Sequence, residues 1–114
     1  MLKKIYFLML FMCFTNQAIA ADQCAAWGCI SRIENLVIQD SGRILINTPL
    51  DQSIVNCKLY GNTYFVVSSG QPRYKELYSM LLSAYLTKTK VQLRIVEGST
   101  NCEISYIRMS NAYK

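Results

Sequence analysis

Cys24, Cys29, Cys57 and Cys102 most narrow the folds open to this chain, because of what precedes them. Lys3 and Lys4 lead into ten apolar residues at positions 5–14. Ala18, Ile19 and Ala20 then place small side chains at the two positions a signal peptidase reads. Residues 1–20 therefore read as a secretory signal peptide, with cleavage before Ala21. As a helix the apolar run would rise only about 15 Å, half of a bilayer core, so no stable membrane insertion is expected. Cys13 leaves with the signal. The four cysteines that remain, an even number, enter a secreted or periplasmic and oxidising compartment, where disulfides persist.

Residues 21–114 then make one domain of 94 residues. A chain that short buries a marginal core and gains much from staples. Four cysteines allow three pairings, and the expected one joins Cys24 to Cys29 and Cys57 to Cys102. On chain-entropy grounds those loops contribute about 2 and about 4 kcal/mol. A four-cysteine zinc site would need paired C-x-x-C knuckles, which are missing from the sequence. Neither metal nor cofactor is expected.

Hydrophobic periodicity divides the domain. Residues 30–39 are rich in β-branched side chains, and their alternation shifts near Asn35, which predicts a long strand with a bulge or sharp bend. Asp40, Ser41 and Gly42 signal a turn into a second strand at 43–47, and Pro49 ends it. Residues 53–59 and 63–67 are further strand candidates about a turn at Gly61 and Asn62. Polar residues at 68–71 and Pro72 suit a capped helix start. Tyr74, Leu77, Leu81 and Ala84 then recur at spacings of three and four, one face of a helix over 73–87. Strict alternation returns at 91–96, and a closing strand is expected at 103–109. A mainly β domain with a helix between its third and fourth strands is the arrangement of an OB-fold barrel. A helix on an open antiparallel sheet would produce much the same string.

That helix carries more apolar surface than one contact needs. Tyr78, Leu82, Tyr85 and Leu86 lie beside and behind the core stripe, where a helix covering one sheet should be polar. Either loops cover this second face or another subunit does.

The available chemistry is sparse. The sequence contains no histidine, which removes the commonest general base and metal ligand. Its seven acidic residues are scattered over turns, strands and helix, without the facing pair a glycosidase needs. An enzyme is not expected. Without Lys3 and Lys4 the net charge falls from +5 to +3, too mild for a nucleic-acid binder, and no polybasic cluster addresses anionic lipid. Recognition by surface side chains remains. Trp27, held between Cys24 and Cys29, is either a stacking platform or a plug at the end of the barrel. Tyrosines 60, 64, 74, 78, 85, 106 and 113 offer amphipathic contact surface, with most expected to be half-buried packing.

The order strands, helix, strands in a cysteine-stapled exported domain resembles the receptor-binding B subunits of pertussis-like toxins, including subtilase cytotoxin and typhoid toxin. The similarity runs from Asn56 and Cys57 through the helix KELYSMLLSAY at 75–85. It continues through TKTKVQLRI at 87–95, a short polar break before a V-x-[IL]-x-[IV] strand. The resemblance implies OB-fold subunits in a homopentameric ring that carries a catalytic A subunit and binds cell-surface glycans, often sialylated. Helices line the centre of such rings. The family's sugar site implies an aromatic near the first strand, matched here by Trp27, and a serine two residues on. Cys29 stands at that position, and Ser31 takes the serine's part if the strand shifts by two. Asn47 falls near a polar sugar contact on the second strand. The alternative is a free-standing exported OB-like domain that binds a protein or peptide.

Overall fold

The Cys24–Cys29 disulfide organises the beginning of the fold. Residues 22–113 are described by a computed structural model, and the signal-peptide reading of residues 1–20 lies outside them. Strands β1 (Gln23–Ala25) and β2 (Gly28–Ser31) form a hairpin in which Cys24 sits directly opposite its disulfide partner. Sequence periodicity misses β1, whose three residues are too few to alternate. On its other side β2 pairs with β6 (Val91–Ile95), and β6 pairs with β7 (Ile104–Met109). This gives a four-stranded antiparallel sheet in the order β1-β2-β6-β7. Gly28 adopts φ 137°, and a Cβ there would lie 1.9 Å from the Leu93 carbonyl oxygen. Only glycine lets β6 pass this close.

A second antiparallel sheet contains β3 (Asn35–Ile38), β4 (Ile44–Asn47) and β5 (Phe65–Val67), in that order. The strand expected across 30–39 breaks at residues 32–34 into β2 and β3. Ser31 pairs with Val91 in the first sheet, whereas Asn35 pairs with Asn47 in the second. Ile33, buried at this corner, explains the shift in alternation. The sheets meet again where Val66 and Glu103 form a parallel bridge and the Val66 N–H donates to the Cys102 carbonyl at 3.1 Å.

The helix α1 (Tyr74–Thr87) lies between β5 and β6 in the chain and buries Leu77, Leu81 and Ala84. These pack with Ile44, Ile46, Phe65, Val91, Leu93 and Ile104 in one core. Tyr74, the fourth member of the expected stripe, is half-buried, and its hydroxyl donates to the Gly42 carbonyl. The expected side-chain cap is not made. Arg73 takes the cap position in the left-handed region at φ 63°, with no side-chain cap bond. The polar residues before it are engaged elsewhere: the Gln71 amide donates to the Ile104 carbonyl, and Ser68 Oγ bonds Glu103 at 3.3 Å.

Residues 53–59 form no strand, contrary to their pattern. Their backbone bonds diverge, since the Asn56 N–H donates to Ala26 at 2.9 Å and the Lys58 N–H to Ser99 at 3.1 Å. The Cys57–Cys102 disulfide fixes the segment where it lies, across a sequence separation of 45. Both expected disulfides are therefore present. The double variant Cys57→Ala/Cys102→Ala is expected to lose about 4 kcal/mol of unfolding free energy, read as a lower denaturant midpoint with an otherwise cooperative transition.

Candidate functional site

Successive strand residues point to opposite faces, so the register decides which side chains meet. Trp27, at the turn of the β1–β2 hairpin, is half-buried, and its carbonyl accepts the Ile95 N–H at 3.0 Å. Its ring faces the Arg94 guanidinium, 5.7 Å from the centroid. Arg94 lies opposite Gly28 on one side and Tyr106 on the other, and Tyr106 is 43% exposed. Two residues along β6, on the same face, Gln92 stands between Ile30 and Arg108. The Tyr113 hydroxyl bonds Gln92 Oε1 at 3.2 Å. The outer face of the first sheet is thus a patch of aromatic rings and arginines around one cation–π pair, worth about 0.5–1 kcal/mol.

Ser31 is not on the Trp27 and Arg94 face. It points to the same side of β2 as Cys29, is fully buried, and its hydroxyl has no partner among the described residues. The period of two that makes Cys29 a core residue makes Ser31 one as well, so its hydroxyl lies in the interior and not on the face that carries Arg94. Trp27 stands at the hairpin of the first sheet, whereas Asn47 belongs to the second. It ends β4 opposite Asn35, whose amide donates to Asn47 Oδ1 at 2.9 Å.

Asn47 lines a polar cleft of about 210 Å³ between the end of β4 and the turn at 59–63. A buried amide holds its walls together. Gln52 Oε1 accepts the Thr48 N–H at 2.6 Å and the Thr48 hydroxyl at 2.8 Å, while its Nε2 donates to the Thr63 carbonyl at 2.7 Å. Asp51 lies on the rim, and the Ser53 backbone N–H, at 3.0 Å, holds its carboxyl below the usual aspartate range. At the base of the turn Tyr60 carries the Arg43 guanidinium over its ring at 4.8 Å. Hydrogen bonds from Gln39 and then Arg43 draw the Tyr60 phenol below its ordinary value. Neither Gln52 nor Asp51 had a sequence signal, because their roles come from contacts across the chain. Gly61 and Asn62 were legible only as a turn.

The helix leaves its second face open. Leu86 is 69% exposed and Tyr85 41%, while Tyr78 and Leu82 are half-buried. Tyr85, Leu86 and Lys88 border a cavity of about 420 Å³ with Arg32, Ile33 and Glu34 on its far side. A second groove, about 410 Å³, runs between α1 and β7 past Leu77, Met80 and Tyr106. Of the seven tyrosines, only Tyr85 and Tyr106 are exposed.

The chain matches no family model, no curated protein and no solved structure. Among the described residues no group of three or more His, Cys, Asp or Glu side chains stands close enough to hold a metal ion, and no helix is long and apolar enough to cross a membrane.

Two measurements check this geometry. Trp27 is the single tryptophan, so Arg94→Ala is expected to shift its emission to the red as the indole loses its cover. Tyr60 is expected to titrate below the ordinary tyrosine value in a ring-carbon NMR titration, and Arg43→Met to raise its midpoint.

Proposed function

We propose that this chain is a non-catalytic recognition subunit, exported behind residues 1–20 to the periplasm or beyond, that binds cell-surface glycans as a homo-oligomeric ring. In this reading the domain is an OB-fold and the ring carries a separate catalytic chain, as in toxins of the A-B type. The observation that carries the proposal is the open flank of α1. Tyr85 and Leu86 present apolar surface that the subunit's own sheets do not use, and water is a poor partner for it.

The strand edges support the same reading. Strand β3 ends one sheet with Val37 and Ile38 exposed, and β7 ends the other with Tyr106 and Met109 exposed. Exposed apolar edges invite pairing. Two unlike edges on one subunit suit head-to-tail contacts, which close into a ring when the rotation allows. The OB assignment draws support from the bent β2–β3 path, the helix between β5 and β6, and the parallel bridge from β5 to the start of β7. For glycans, the Trp27 and Tyr106 rings beside Arg94 offer stacking faces with a donor between them. The apolar groove between α1 and the β7 edge favours a second reading, a free-standing domain that takes an extended peptide there.

Light scattering on the mature, oxidised chain at micromolar concentration separates the two readings. The ring reading expects a mass of several subunits, falling to one subunit in Leu86→Asp with unchanged circular dichroism. A monomeric wild-type chain overturns it.

A further inference from the structure

The cleft at Asn47 has the chemistry of a binding site that the aromatic sheet face does not share. Its volume is about 210 Å³, and the cleft is open to solvent. Leu50 and Leu59, both half-buried, also line the cleft, whose exposed lining is mainly polar. The rim holds short polar groups. Asn62, exposed at the turn with φ 60°, has no hydrogen bond from its side chain among the described residues. Asn47 uses its oxygen for Asn35, and its own NH2 has no partner among them. An ionised carboxylate has about four acceptor positions, and at Asp51 the Ser53 bonds leave acceptor capacity over.

These groups are presented on a rigid frame. The Gln52 side chain is buried and bonds both walls, Thr48 on one and Thr63 on the other. A buried amide with its oxygen and nitrogen both engaged resists rearrangement, since breaking either bond leaves an unsatisfied polar atom. A ligand therefore meets a cleft whose walls are already in place.

The charge decides the ligand class. Asp51 is the one ionic side chain that lines the cleft, and no basic residue joins it. Its carboxyl stays ionised down to acidic pH because the Ser53 N–H favours the charged form. An anionic sugar would bring a second negative charge to a site with no cation to receive it, whereas neutral hydroxyls donate to the carboxylate in strong charge-assisted bonds.

We propose that the polar cleft lined by Asn47, Asp51, Asn62 and Thr63 binds a neutral sugar, a hexose or N-acetylhexosamine unit, and discriminates against carboxylated sugars. This inference rests on the glycan-binding reading and names the sugar class and the place.

An amide-correlation NMR titration of the mature, oxidised protein tests it, with methyl glycosides of neutral hexoses and N-acetylhexosamines in one arm and a carboxylated sugar glycoside in the other. The expected result is saturable shifts at Asn47, Asn62 and Thr63 in the neutral arm and none there in the carboxylated arm. Asn62→Ala should weaken binding about fivefold, the loss of one hydrogen bond. Asp51→Asn, isosteric and uncharged, should narrow the preference for neutral sugars while the spectrum stays folded. Shifts confined to Trp27, Arg94 and Tyr106, in either arm, overturn the cleft assignment and leave glycan binding standing. Absence of shifts with every sugar overturns both.

Discussion

Cys102 is the point on which the two sheets depend. Its sulfur is joined to Cys57, its carbonyl accepts the Val66 N–H from β5, and two residues later the chain enters β7. One fully buried residue thereby joins both sheets and the irregular segment at 53–59. That segment has no ladder of its own. Apart from the cross-link it is held by Val55 in the core and by single backbone bonds to Ala26, Ser99 and Gly98, and such bonds contribute about 1 kcal/mol each. A domain of this size buries too little apolar surface to tolerate a loose corner.

The helix shows what the core does and does not claim. Leu77, Leu81 and Ala84 complete the packing between the sheets, so that face is determined by the interior. Tyr85 and Leu86 are on the same helix and of similar apolar character, yet they lie exposed. Nothing in helix propensity distinguishes the two sets. The distinction comes from which face the sheets can reach.

The exposed surfaces divide along similar lines. The outer face of the first sheet is cationic and aromatic, around Arg94, Arg108, Trp27 and Tyr106. The cleft beside β4 is polar with one carboxylate. Trp27 and Asn47 both remain candidates for ligand contact, but in separate places. Ser31 lines neither, because the pleat turns it inward.

Local pattern was enough for the mainly β class, the helix at 74–87, the turn through Gly42, the alternating strand at 91–95 and both disulfides. Each rests on residues close in sequence or on the small number of ways four cysteines can pair. Pattern failed where distant partners decide. Residues 53–59 alternate like a strand but bond in two directions, and β1 is three residues that exist because a disulfide and β2 hold them. The cap before α1 looked available until Glu103 and Ile104 took its polar groups. The Gln52 clamp joins residues 48 and 63, and the Trp27–Arg94 pair spans most of the domain. Composition and periodicity report what each residue prefers alone. Register, and the burial that follows from it, assigns the surfaces a ligand can touch.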